Sequence, residues 1–211
     1  MSTFKFLHTR HVETLLKGKF LFRHAEYFRS LEDRGGLIGD PNESKSTAKL
    51  HDGKRLINNK VIFMDEVFIF CVSFGDIDSL TKVMCNDKNG YDACIEIKNI
   101  GWLAKIIWEE GSEVNSGKKV SELFRNPLFG PVRYEDSKME LFESMKTITP
   151  PSFPLPFKKS SIYSGQSEIR IVLYPKSTFK DDKIFITVQL PDGFLETRFV
   201  NLLGTVVGRT D

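Results

Sequence analysis

The chain lacks the features that mark membrane and exported proteins at first sight. No segment reaches the roughly 18 apolar residues that a membrane-spanning helix needs, and MSTFKFLHTRHVETLL has no signal-peptide pattern. The 30 Lys and Arg residues nearly balance the 28 Asp and Glu residues, which excludes a whole-molecule field for non-specific nucleic-acid binding. We therefore expect a cytoplasmic protein with no membrane partner, in which any basic groove is local.

The chain has few cysteines and none of the common catalytic motifs. Cys71, Cys85 and Cys94 show neither C-x-x-C nor paired Cys and His spacing, so we predict reduced thiols and no bound metal. The chain contains no G-x-G-x-x-G, Walker-type lysine loop, G-x-S-x-G or H-E-x-x-H. These absences disfavour a Rossmann or P-loop nucleotide site and the familiar hydrolases.

What the chain has instead is aromatic and β-branched bulk in short runs. With 18 Phe and an apolar fraction of 40%, its 211 residues can bury one core, so we predict a single domain over residues 1–211. Helical spacing is concentrated before Pro150, as in residues 100–109, and strand-like runs follow it. This order favours an α+β fold over a doubly wound sheet.

Composition also predicts the connections and two further elements. Residues 33–54 are rich in Gly, Asp, Asn, Ser and Lys, which is typical of a long loop, and four prolines in 149–156 predict an irregular connection. The Pro-Asp-Gly turn at residues 191–193 predicts a C-terminal hairpin over 183–203. Residues 138–147 are compatible with a helix.

The stretch SSIYSGQSEIRIVLY places polar residues inside an apolar strand. Alternation puts Gln166, Glu168 and Arg170 on one face, and the opposite face carries Ile169, Ile171 and Leu173 toward the core. Two interpretations stay open for the polar face. Glu168 and Arg170 form a solvated surface pair, or the polar residues line a cleft at the start of the strand.

Two N-terminal groups offer further candidate ligands. At the end of the first strand, His8, Thr9, Arg10 and His11 could bind an anionic or amide-bearing ligand. Alternatively, Thr9 caps the following helix, and His8 is a core histidine that continues the Phe4 and Phe6 alternation.

The second group precedes the long loop and consists of Arg23, His24, Tyr27 and Arg29. Aromatic rings interleaved with arginines can stack a base or clamp a phosphate. The same residues can equally bury one side of a helix.

Three stretches resemble a large bacterial family catalogued as a domain of unknown function. They are FLHTRHVETLLKGKFLFRHAEYFRSLEDRGGLIGDPNES, then IFCVSFGD with YDACIEIKN, and FKKSSIYSGQSEIRIVLYP. The corresponding family motifs are N-D-P-x-E, C-x-S and a late signature of Lys, an aromatic residue, E-x-E and Arg. The chain departs from them in having Gln166 for the first Glu, Tyr163 for a Trp, and a glycine-rich insertion before Asp40.

The element order is similar to that of ADP-ribosyltransferases, including DarT-type enzymes that modify DNA bases. This resemblance implies a split, mixed or antiparallel β-sheet with short helices, and NAD as a substrate. His8 and Thr9 would hold the nicotinamide-ribose side, and Ser73 or Tyr27 would support it. Glu168 would be the late-strand glutamate, with Gln166 orienting the acceptor. Arg10, Arg23 or Arg29 would neutralise the NAD pyrophosphate.

Three hypotheses follow from the sequence. The first is an ADP-ribosyltransferase-like toxin or phage-defence effector that modifies a nucleic acid or a protein. The second is a non-catalytic module on the same scaffold that binds a nucleotide, a nucleic acid or a protein partner. The third is a structural or immune-evasion protein in which Glu168 and Arg170 are a surface pair. One geometric test separates them, namely whether His8, Ser73 or Tyr27, and Glu168 line a single cleft.

Overall fold

The computed structural model describes residues 2–30, 45–51, 56–64, 66–85, 90–135, 139–142, 155–177, 184–192 and 203–206. Its helices are α1 (Val12–Leu16), α2 (Ala25–Ser30), α3 (Ile77–Met84), α4 (Ile100–Glu110) and α5 (Val120–Leu123). Its strands are β1 (Thr3–Leu7), β2 (Lys19–His24), β3 (Lys45–His51), β4 (Leu56–Met64), β5 (Phe68–Phe74), β6 (Ala93–Ile97), β7 (Ser112–Glu113), β8 (Leu128–Pro131), β9 (Arg133–Tyr134), β10 (Met139–Phe142), β11 (Lys158–Lys159), β12 (Glu168–Leu173), β13 (Phe185–Gln189) and β14 (Leu203–Val206).

The sheet is organised around β5, whose FIFCVSF sequence suits a strand buried on both faces. One edge of β5 pairs with β12 along nearly its whole length. The other edge is shared, because β1 pairs only with Ser73 and Phe74, and β2 pairs only with Phe68 and Ile69. Among the described strands, none pairs with the edge of β5 between these two contacts. The sheet is therefore split along β5.

Each half of the split sheet continues outward through antiparallel pairs. Beyond β1 lie β6 and then β14, and beyond β2 lie β13 and then β7. On the far side of β5, β12 pairs with β8. Two smaller sheets contain parallel pairs, β10 with β3 and β11 with β9. The predicted α+β class with a mixed, largely antiparallel sheet is confirmed.

Apolar side chains bury both faces of the main sheet. One face carries the largest core cluster, including Phe20, Phe22, Phe70 and Ile171, and packs against α4. The α4 helix begins where Asn99 accepts a hydrogen bond from the Trp102 backbone N–H at 2.9 Å. On the opposite face, Phe4 and Phe6 pack with Leu80 of α3, and Ile69 packs with Phe28 of α2. None of the described helices is long and apolar enough to cross a membrane.

Three predicted elements need correction. Residues 45–51, inside the predicted loop 33–54, form β3, which pairs with β4 and β10. Residues 139–142, inside the predicted helix 138–147, form β10. In the predicted hairpin 183–203, the end of β13 near Pro191 already has β2 on one edge and β7 on the other, so no edge is left there for a returning strand.

The rest of these predicted segments lies largely outside the described residues. Of the predicted connection 149–156, the last two residues begin a 3-10 turn, Leu155–Phe157, and residues 149–154 are not among those described. The return strand of the hairpin is described only from residue 203, where β14 begins and pairs with β6.

Candidate functional site

The split in the sheet opens a cavity of about 500 Å³. Its wall includes residues of β1 and β2, and between them the unpaired edge of β5 over residues 70–72. A strand edge left without a partner exposes backbone N–H and C=O groups that can bind a ligand. The cavity therefore lies where the main sheet itself has spare hydrogen-bonding capacity.

Most of the predicted site residues line this one cavity, although they come from separate stretches of the chain. The residues that do so are His8, Arg10, Arg23, Tyr27, Ser73, Gln166 and Glu168. His8 is half-buried just beyond β1, and its ring centre lies 5.6 Å from that of Tyr91. The core-histidine interpretation of His8 is therefore wrong.

Thr9 and Arg29 are not in the cavity wall. Thr9 begins a 3-10 turn, and its backbone N–H donates to Asp92 Oδ1 at 2.6 Å. Its side chain does not cap α1, whose N-cap position is His11. Arg29 Nη2 lies 3.7 Å from Glu66 Oε1. These two assignments do not fit a ligand in the cavity.

Glu168 is the centre of a buried polar cluster. Its Oε1 accepts from Lys159 Nζ at 2.8 Å, and its Oε2 accepts from Arg170 Nε at 2.7 Å. Lys159 Nζ also donates to Gln166 Oε1 at 2.6 Å. Glu168 is 6% exposed and Arg170 1%, so the interpretation as a solvated surface pair is wrong. We call Lys159, Gln166, Glu168 and Arg170 the Glu168 cluster.

A backbone kink before β12 positions this cluster. The 3-10 turn Ser161–Gln166 ends at Ser167, which has a φ of 44° in the left-handed region. Two hydrogen bonds fix the kink. The Glu168 N–H donates to Tyr134 Oη at 2.8 Å, and the Phe74 N–H donates to the Ser167 carbonyl at 2.9 Å. Gln166 and Glu168 thus both reach the same lysine.

The charge of Glu168 is fixed by its partners. Burial by itself would raise the pKa of Glu168, but the charges of Arg170 and Lys159 outweigh this effect and hold the pKa at about 2. The carboxylate is ionised throughout the physiological range. Because two cations face one anion, the cluster as a whole carries a net positive charge.

A second set of charges lines the cavity without such pairing. Lys5, Arg10, Lys19 and Arg23 are in the cavity wall, and no carboxylate among the described residues pairs with any of them. We call these four residues the cationic wall. Unpaired cations around a concave site favour an anionic ligand.

Individual contacts orient the cationic wall. Lys5 Nζ donates at 2.8 Å to the Cys71 carbonyl on the unpaired edge of β5, and burial lowers the pKa of Lys5. The Arg23 guanidinium lies 4.1 Å from the centre of the Tyr27 ring. Arg10 Nε donates to His11 Nε2 at 3.2 Å.

Neither a reactive thiol nor a metal centre is seen in the described part of the chain. Burial raises the pKa of Cys71 in the cavity wall to about 12, so this thiol stays protonated at neutral pH. The residues that the structure describes contain no group of three or more His, Cys, Asp or Glu side chains placed to hold a metal ion.

Sequence reasoning missed Lys5, Lys19 and Lys159. Lys5 did leave a signal, because it is a lone cation between Phe4 and Phe6 in a strand that is otherwise buried. Lys159 left an ambiguous signal, because the late motif of the resembled family includes a Lys, but the adjacent Lys158 is chemically identical and pairs instead with the partly exposed Glu135.

No protein-family model matches the chain, and neither the curated proteins nor the solved structures compared with it give a match. The resemblance to ADP-ribosyltransferases therefore stays a prediction. Inferences about function rest on the geometry of the cavity.

Proposed function

We propose that the protein is an ADP-ribosyltransferase-like enzyme that uses NAD to modify a nucleic acid or a protein. One observation carries the proposal. His8, Ser73 and Glu168, which are widely separated in sequence, line a single cavity in a split sheet. Tyr27 lies in the same wall and offers the aromatic support that the resemblance implies.

The Glu168 carboxylate fits the chemistry of this reaction. Departure of nicotinamide builds positive charge on the ribose, and a fixed negative charge near that carbon lowers the barrier. Glu168 stays ionised because its pKa is about 2. Each carboxylate oxygen has two lone pairs, so its bonds to Lys159 and Arg170 leave acceptor capacity for a ribose hydroxyl. Gln166 beside it would orient the acceptor.

The cationic wall suits the NAD pyrophosphate. Arg10 and Arg23 line the cavity with no carboxylate partner among the described residues, and a guanidinium can bind phosphate oxygens in a bidentate manner. Lys5 adds a third cation deeper in the split. We assign the pyrophosphate to Arg10, Arg23 and Lys5 of this wall and not to Arg29, which lies outside the cavity.

A cytoplasmic location and a role as a toxin or phage-defence effector belong to this proposal. Cys71, Cys85 and Cys94 are free cysteines, as is usual in a reducing compartment. NAD is the intracellular substrate that the proposal requires.

A second candidate is a non-catalytic module that binds an anionic ligand in the same cavity. It is favoured by the double pairing of Glu168, because two adjacent cations oppose the field of the carboxylate at a developing positive charge. The module would still need the cationic wall, but it would not depend on Glu168 for turnover.

The test is a comparison of Glu168→Gln with Glu109→Gln, a carboxylate variant on α4 outside the cavity wall. Release of nicotinamide from NAD and transfer of labelled ADP-ribose are measured for each. We expect Glu168→Gln to lower both rates by about 100-fold or more, as for loss of one electrostatic stabiliser, and Glu109→Gln to leave them unchanged.

Calorimetry with NAD and ADP-ribose completes the test. Turnover that is insensitive to Glu168→Gln would overturn the assigned mechanism. Binding without turnover in the wild type would favour the second candidate. The absence of both binding and turnover would overturn both functions.

A further inference from the structure

The two strands β2 and β13 have an outer face that does not belong to the core. Alternation buries Phe20 and Phe22 of β2 and Ile186 and Val188 of β13 completely. The residues between them point the opposite way and are directly paired across the two strands. They are Lys19 with Gln189, Leu21 with Thr187, and Arg23 with Phe185, and we call these six residues the β2–β13 face.

Large apolar side chains are exposed on this face beside a guanidinium. Leu21 is 39% exposed and Phe185 43%. The Arg23 guanidinium lies 4.1 Å from the centre of the Tyr27 ring and 5.6 Å from that of Phe185. An arginine lying against aromatic rings presents a flat surface on which a planar ligand can stack.

The charge of the face has one sign. Lys19 and Arg23 have no carboxylate partner among the described residues, and the face itself contains no Asp or Glu. A ligand that matches it needs negative charges spaced beside planar, apolar groups. An acidic peptide supplies only the charges, and a duplex hides its base faces in the stack. A single-stranded nucleic acid supplies both phosphates and free base faces.

The face is continuous with the cavity. Lys19, Leu21, Arg23 and Thr187 line the cavity as well as forming part of the face. A strand lying on β2 and β13 therefore leads directly to the cavity that contains Glu168.

We propose that the β2–β13 face binds a single-stranded nucleic acid, with a base stacked on Phe185 and the strand's phosphates near Lys19. As an acceptor site, the face rests on the proposed function, because it delivers a nucleotide to the Glu168 cavity. As a binding surface it does not depend on NAD chemistry. The experiment therefore measures binding in the absence of NAD.

The experiment uses fluorescence anisotropy with short labelled single-stranded DNA, single-stranded RNA and duplex DNA of one sequence. We expect the full-length protein to bind one or both single strands more tightly than the duplex. Phe185→Ala should weaken this binding by about 10-fold, the typical effect of losing one stacked base. Phe185→Trp should retain it.

The matched control is Phe129→Ala. Phe129 is 55% exposed, but it lies on β8 opposite Ile171, on the other face of the sheet, so its loss should leave the affinity unchanged.

Charge on the face is tested through the dependence of binding on salt. Lys19→Glu should weaken binding and flatten the plot of log K against log salt by about 0.7 for each phosphate that the lysine no longer neutralises. Lys105→Glu, at an exposed position on α4, should change neither.

Several results would overturn the inference. These are no binding of either single strand at low salt, equal losses in Phe185→Ala and Phe129→Ala, or an affinity for the duplex as high as that for both single strands. Phe185-dependent binding without NAD turnover would support the surface while the proposed enzyme fails. NAD turnover without Phe185-dependent binding would overturn the surface alone.

Discussion

The Glu168 cluster and the cationic wall border the same cavity, but they differ in whether their charged side chains are paired. In the cluster, one carboxylate is held by Lys159 and Arg170 and is almost completely buried. In the wall, the described residues supply no carboxylate for Lys5, Arg10, Lys19 or Arg23. The same types of side chain thus form a closed network on one side and an open, positive surface on the other.

This difference separates residues that stabilise the folded protein from residues that are available to bind a ligand. Breaking a buried pair leaves a charge without compensation in a low-dielectric interior, which is costly to the fold. Removing an unpaired cation from a cavity costs the fold little, and it costs a bound anion much more. Stability and affinity measurements should therefore respond to different residues.

The largest effect is expected from Lys159→Met. This change removes one of the two cations that hold Glu168 and leaves Gln166 Oε1 without that donor. We expect the free energy of unfolding to fall by about 3–5 kcal/mol, as measured by urea denaturation.

The adjacent lysine provides the control. Lys158→Met removes a pair with Glu135 in which both side chains are partly exposed, so the loss should be at most about 1 kcal/mol. Equal losses of unfolding free energy in the two variants would show that the Glu168 cluster contributes no more to stability than a surface pair.

Local sequence patterns were sufficient to predict the fold class, one helix and the residues on each face of a strand. The α+β class, α4 and the core face of β12 follow from periodicity. Helix α3 also has local sequence features, since Asp76 accepts a hydrogen bond from the Ser79 backbone N–H at its N-terminus and Leu80 is its buried residue. Glu168 and Arg170 were assigned correctly to one face, but alternation cannot tell a solvated face from one buried under another layer.

What the sequence could not supply was long-range pairing. The polar composition of residues 45–51 predicted a loop, but β4 and β10 satisfy their backbone on both edges, so tertiary pairing overrides local preference. The end of β13 is likewise occupied by β2 and β7, which no local turn signal indicates. The cavity exists because β1 and β2 share one edge of β5, and that partition is also a long-range property.

The second effect concerns the pH dependence of stability. The pKa of Glu168 in the folded state is about 2, below its ordinary value of 4.5, so its contribution is present above about pH 5 and is lost as the pH falls toward 2. The difference in unfolding free energy between wild type and Glu168→Gln should shrink by about 3 kcal/mol over this interval. Urea denaturation at a series of pH values measures it. A difference independent of pH would mean that the carboxylate titrates normally in the folded protein.

The smallest effect on stability, and the sharpest contrast with Lys159, is expected from Lys5→Met. Burial lowers the pKa of Lys5, so the folded state disfavours the charged amine, and removing it relieves that cost. The lost hydrogen bond to the Cys71 carbonyl acts in the opposite direction. The free energy of unfolding should therefore stay within about 1 kcal/mol of the wild-type value, whereas the affinity for ADP-ribose, measured by calorimetry, should fall by about 10-fold because the ligand loses a charge-assisted hydrogen bond. Lys17→Met, at an exposed position outside the cavity wall, should change neither quantity. If Lys5→Met instead destabilises the fold as much as Lys159→Met and leaves the affinity unchanged, the cationic wall is structural, and the division of the cavity into a closed side and an open side fails.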